Sequence, residues 1–212
     1  MQISNCRVLK GLCALVVPVA LVTGLALWPA TVAPSQGSAT GHTAHAATNP
    51  APVAFHGLGA WAQLRNAAGG MVGVVEISED SGKLVVHVHA HDLPPGWHGF
   101  HIHAVGSCDP ATAFNSAGGH MNPGGTSHAE HAGDLPSLLV SQDGTAEMWF
   151  RTDRAHLSGL FDADGSAIIV HALPDNFGHI PTRYAPAPDA MTLATGDAGP
   201  RIACGAVQLA AN

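Results

Sequence analysis

From residue 57 onward the chain breaks into short runs, apolar residues alternating with polar ones or standing in small blocks, each run closed by turn residues. The runs are 59–66, 71–78, 83–90, 98–104, 137–141, 145–151, 167–171 and 202–209, and the turn pairs include Gly69-Gly70, Ser81-Gly82, Asp143-Gly144 and Asp164-Gly165. A period of two sends successive side chains to opposite faces of a strand, and runs this short bury an apolar face only by joining a sheet. Eight such runs predict an all-β domain, a sandwich or barrel. With 11% charged residues and 25 glycines, coiled coils and long surface helices are excluded. A helical turn is expected within 153–161, with His156 at the surface.

Two long stretches, 105–136 and 172–200, interrupt the strand series. Loops of that length in a compact domain need a function or a restraint such as a metal or a covalent staple. Ahead of the domain, Arg7 and Lys10 precede an uncharged stretch from Gly11 to Trp28, followed by small residues and prolines. This organisation predicts an export signal or signal anchor over 1–33, a flexible tether over 34–54 and the folded domain over 55–212. The segment is either cleaved or retained as an anchor, and only through it would the chain meet a membrane. The context of Cys13 lacks the small residues that precede a lipid-modified cysteine. An extracytoplasmic location follows: periplasm, cell envelope or medium.

The formal net charge is -7, which argues against nucleic acid as a partner. Histidine is the anomaly, with fifteen against eight lysines and arginines. Such an excess points to transition metals or proton transfer. In Gly99-Phe100-His101-Ile102-His103 the two histidines share one strand face about 6.6 Å apart, close enough for both rings to lean onto one ion, while Phe100 and Ile102 face the core. His87, His89 and His91 alternate in the same way; they read as the solvent face of a strand, and their role stays open, as does that of His42 and His45 in the tether. What distinguishes His101 and His103 is their company. His120, His128, His131 and Asp134 lie within fifteen residues, three nitrogens and a carboxylate that suffice for a closed tetrahedral zinc site, and His171 ends the apolar strand 167–171.

In order along the chain, Gly99-Phe-His-Ile-His-Ala-Val-Gly, Cys108, Gly118-Gly-His, His131-Ala-Gly-Asp, Val170-His171 and Thr195-Gly-Asp-Ala-Gly-Pro-Arg-Ile-Ala-Cys-Gly resemble the copper/zinc superoxide dismutase family over roughly residues 57–210. The resemblance implies an eight-stranded Greek-key barrel or sandwich with two functional loops, and the N-terminal segment points to the family's secreted bacterial branch. It implies copper held by His101, His103, His120 and His171, and zinc held by His120, His128, His131 and Asp134, with His120 shared. Asp175 matches the carboxylate that tethers ligands of both metals, His98 a structural histidine, and Arg201 the arginine that guides the anion. Cys108 and Cys204 match the family's disulfide and suit an oxidising compartment. The implied activity is conversion of two superoxide anions and two protons to dioxygen and hydrogen peroxide through a Cu(II)/Cu(I) cycle, with His120 carrying a proton, protecting the envelope. Only Ala129 and Glu130 separate His128 from His131, tighter than the family commonly shows. A failed zinc loop would leave a copper-only dismutase. The rival readings are an envelope protein that binds copper without catalysis and a structural wall-associated domain. Monomer and homodimer both stay open.

Overall fold

The computed structural model describes residues 59–211. The readings for the leader and for the whole tether, His42 and His45 included, lie outside the described residues. The first three alternating runs become β1 (Ala60–Asn66), β2 (Met71–Asp80) and β3 (Lys83–Ala90), an antiparallel meander. Ser81 and Gly82, both at positive φ, form the two-residue turn that matches the twist of β2 and β3. Along β3, Leu84, Val86, Val88 and Ala90 are buried while His87 and His89 face outward, as the alternation predicts.

The later strands are β4 (Gly96–His98), β5 (Phe100–His103), β6 (Leu138–Val140), β7 (Ala146–Thr152), β8 (Ala167–His171) and β9 (Arg201–Leu209). Seven form one antiparallel sheet in the order β5-β8-β9-β1-β2-β3-β7, and β4 pairs with β6 apart from it. The chain leaves β3, returns through β7 to pair with β3 again, and then sets β8 beside β5, which is Greek-key connectivity. Side chains of the large sheet share one core with Leu138 and Val140 of β6 and with Leu135 and Leu160. A short 3₁₀ segment, Leu157–Phe161, fulfils the expected helical turn.

One expectation needs correction. The run 98–104 is not a single strand, so nine strands replace the eight predicted. His98 pairs with Leu138, whereas His101 pairs with Ile169, so the chain changes partner between them. At the changeover the Gly99 N–H donates to Leu173 O and the Gly99 carbonyl accepts from the His171 N–H, both at 2.8 Å. Those bonds hold the kink against the end of β8 and the residue two places beyond it.

The two long loops are stapled rather than free. Cys108 and Cys204 form a disulfide that joins the first loop to β9 across a sequence separation of 96. The His128 N–H donates to Leu193 O at 2.9 Å, fastening the first loop to the second beside the short helix α1 (Thr192–Thr195).

Candidate metal centre

β5 has β8 on one side, and its other edge is covered by the first loop rather than by a strand. Met121 N–H donates to Ile102 O and Ile102 N–H to Gly133 O, each at 2.9 Å. The loop thereby runs past β5 twice, setting His120 opposite His103 and Asp134 opposite His101. Only a glycine permits the second passage, since a Cβ on residue 133 would lie 2.1 Å from Ile102 O. Phe100 and Ile102 are fully buried in the core as expected, and His101 and His103 are equally buried on the other side.

His120 is the hub of the cluster. Its ring centroid lies 3.9 Å from that of His101, 5.0 Å from His103 and 6.2 Å from His171 on one side, and 5.3 Å from both His128 and His131 on the other. Ligand atoms of His101, His103, His120 and His171 fall within 4.8 Å of one another, as do those of His101, His120, His128 and Asp134. His131 stands just outside the second of these sets, its Nδ1 being 3.3 Å from Asp134 Oδ1 and 3.2 Å from His120 Nδ1.

The hydrogen bonds determine which ring nitrogens are left bare. A nitrogen bonded to a carbonyl or carboxylate oxygen carries the hydrogen, so the other nitrogen of a neutral ring presents a lone pair. His103 Nδ1 donates to Gly118 O and His171 Nδ1 to Gly199 O, both at 2.9 Å. His101 Nε2 donates to Asp175 Oδ2 at 2.7 Å, and His128 Nε2 donates to Asp175 Oδ1 at 2.8 Å. The remaining nitrogens all turn inward. His103 Nε2 and His171 Nε2 face each other at 3.4 Å, and His101 Nδ1 is buried without a hydrogen-bond partner. His128 Nδ1 sits 3.0 Å from Asp134 Oδ1 but out of hydrogen-bond alignment, so the proximity marks a shared destination rather than a bond.

Electrostatics reinforce the pattern. Burial drives His101 down to about 4 against the pull of Asp175, and drives His171 down to about 3. His103 is likewise pushed well below its ordinary value, first by burial and then by neighbouring positive charge. These three rings are neutral donors at pH 7. Burial also acts to lower His128, but Asp134 and Asp175 outweigh it and lift the ring to about 9. Asp134 and Asp175 are held far below the usual carboxylate range, despite burial, Asp134 by the hydrogen bond from His120 and the close positive charge of His128, Asp175 by hydrogen bonds from His101 and His128. The first pocket thus offers neutral nitrogen lone pairs with no donor to meet them, and the second offers a carboxylate and imidazoles in a place that demands positive charge. Both fit a divalent ion: nitrogen-rich for copper, three imidazoles and one carboxylate for zinc.

A cleft of about 500 Å³ opens onto the first pocket, lined by His103, His120, His171, Asn115, Thr195 and Arg201 among others. The Arg201 guanidinium donates to Phe114 O and to Gly118 O, each at 2.5 Å. Gly118 O therefore binds both Arg201 and His103, which fixes the cation relative to the imidazole cluster. His98 stays out of the cluster; its ring nitrogens lie 2.7 Å from the carbonyls of His171 and Pro94.

Every residue expected at the centre is brought together, His128 included despite its short spacing from His131. His87, His89 and His91 are not; they belong to the β3 region of the sheet. Residue-type reasoning missed the carbonyls of Gly118 and Gly199 and the role of Gly196. Gly196 has φ of 59°, and a Cβ there would lie 2.0 Å from Asp175 Oδ1 and 2.4 Å from His128 Nε2. The signal was present in the glycines that flank the histidine and aspartate motifs.

The family profile described as copper/zinc superoxide dismutase (SODC) matches residues 70–207. The chain is 42% identical over 130 residues to "Superoxide dismutase [Cu-Zn]" of Mycolicibacterium paratuberculosis (strain ATCC BAA-968 / K-10), a match covering 54% of this chain and 57% of that protein. It is 35% identical over 159 residues to "Superoxide dismutase [Cu-Zn] 2" of Brassica juncea, covering 72% of this chain and 99% of the relative. Among solved structures, a double mutant of a SOD-like protein from Bacillus subtilis superposes with a TM-score of 0.61 at 37% identity, covering 71% of this chain and 98% of that one. The chain spans little more than half the length of the mycobacterial relative it matches. On the profile match and on the relative matched along almost its whole length, the chain belongs to the copper/zinc superoxide dismutase family.

Proposed function

We propose that this protein is a superoxide dismutase, turning two superoxide anions and two protons into dioxygen and hydrogen peroxide. The observation that carries this reading is the set of inward-facing imidazole nitrogens at the floor of a cleft whose wall is Arg201. His101, His103, His120 and His171 would hold copper, and His120, His128, His131 and Asp134 would hold zinc. Copper so held supplies one-electron exchange between its two oxidation states, and zinc supplies fixed positive charge.

The chain's own groups do the rest. Arg201 offers a half-buried cation at the cleft wall; burial lowers its proton affinity, yet a guanidinium stays charged at neutral pH. In a protein of net charge -7 that local positive focus is what admits a small anion. His120 has Nδ1 committed on the Asp134 side at 2.8 Å, so Nε2 is the nitrogen that can hold and pass on a proton at the cleft floor. Asp175 locks the tautomers of His101 and His128 together. Asp134 approached by His120, His128 and His131 supports a zinc-bearing centre over a copper-only one. The disulfide and the N-terminal segment support work outside the cytoplasm, in the secreted bacterial branch, with protection of the envelope as the role.

The test is superoxide consumption by metal-loaded protein and by Arg201→Ala across a range of salt. The expected result is rapid consumption by the wild type and roughly a tenfold loss in the variant at low salt, with a shallower salt dependence. An inactive wild type with both metals bound would leave a copper-binding protein without catalysis; an equally fast variant would remove the guiding role.

A further inference from the structure

The outward face of the β2-β3-β7 region carries a second convergence of ligand atoms, distinct from the buried centre. Glu76 on β2 is the register partner of His87 on β3, and His89 stands two residues further along the same face, opposite Glu147 on β7. Glu76, His87 and His89 each present a ligand atom within 4.8 Å of the other two. The rings of His87 and His89 are 4.0 Å apart between centroids. β9 and β1 separate this group from the histidines of β5 and β8.

We propose that this face binds one additional divalent transition-metal ion of the kind that favours imidazole, zinc foremost, through Glu76, His87 and His89. His87 Nδ1 and Glu76 Oε2 are 3.6 Å apart, too long for a hydrogen bond. That separation is close to the roughly 3.3 Å between two donors that each bind a tetrahedral zinc at about 2.0–2.1 Å. Glu147 lies 3.5 Å from His87 Nε2, on the other ring nitrogen, where a carboxylate favours the tautomer that leaves Nδ1 bare. Two imidazoles and a carboxylate are a recurrent zinc donor set, and water completes the shell. The rigid ladder of β2, β3 and β7 fixes the three donors without a loop having to order around them. His91, the third histidine of the alternating series, is drawn away to Asp92 at 2.9 Å and takes no part.

The test is equilibrium dialysis of the full chain, already loaded with copper and zinc, against further Zn(II), with metal counted per chain. The wild type should take up one more equivalent than His89→Ala, and Glu76→Gln should bind that equivalent at least tenfold more weakly. The buried pocket's metal content should be the same in all three proteins. Because the comparison is between wild type and surface variants, zinc held by other histidines cancels. A failure to load the buried centre would lower all three counts equally and so stays distinguishable. No further equivalent in the wild type, or one that persists undiminished in both variants, overturns the site.

Discussion

Asp175 is the side chain on which the two halves of the centre lean. One oxygen accepts from His101 on β5 and the other from His128 in the loop, while the Phe177 N–H at 2.6 Å fixes the carboxylate itself. Asp175→Asn keeps the shape but lets only one of the two rings donate to a carbonyl oxygen, so one tautomer must invert. Zinc affinity should fall ten- to a hundredfold, as read by competition with a chromogenic chelator; unchanged affinity would show that the carboxylate does not orient the ligands. Outside the centre, Glu79 accepts from the Leu157 N–H at 2.9 Å and meets His156 at 3.2 Å. The Leu157 amide first, then His156, lowers its carboxyl below the ordinary 4.5. A depressed folded-state value means that the contribution is present above the unfolded carboxyl's titration and is lost as pH falls through the folded one. Glu79→Gln should therefore lower the melting temperature at pH 7 and leave it nearly unchanged at pH 3, and an equal difference at both pH values would contradict the bond's role.

At the scale of elements, the disulfide and the two loops act as one device. Cys108–Cys204 ties the first loop to β9, and Arg201 at the start of β9 reaches back to Phe114 O and Gly118 O on the same loop. Cys108→Ser with Cys204→Ser should cost up to about 4.7 kcal/mol in the chain-entropy account. At a few degrees per kcal/mol, that is a loss of about 10 °C or more in melting temperature. Superoxide consumption should fall as well, because Arg201 loses its anchor; unaltered activity at a temperature where the variant stays folded would separate the staple from the cleft. The same elements show where sequence is informative. β2 and β3 were legible because alternation and a Ser81-Gly82 turn are local properties. The break at Gly99 was not, since His98 and His101 differ only in which strand, β6 or β8, lies alongside. The site's ligands were legible because imidazole and carboxylate types carry their chemistry in the side chain. The carbonyls of Gly118 and Gly199 that orient His103 and His171 were invisible, because every residue has a carbonyl and only the folded path aims it.

At the scale of the whole molecule, a sheet edge, two loops and one disulfide convert a scattered sequence pattern into paired donor sets that meet at a single ring. Residues from 101 to 175 contribute, and His120 lies between the two sets. The protein carries a net charge of -7, and Arg201 sets a cation in the wall of the cleft that opens on His103, His120 and His171. Sharing of His120 between the two metals is what joins the two donor sets into one centre. The most direct measurement is a crystal structure of the metal-loaded protein with anomalous scattering recorded at the copper and zinc edges. The predicted result is a copper peak bonded to His101, His103, His120 and His171 and a zinc peak bonded to His120, His128, His131 and Asp134. Two peaks with His120 bonded to only one of them, or to neither, would contradict it.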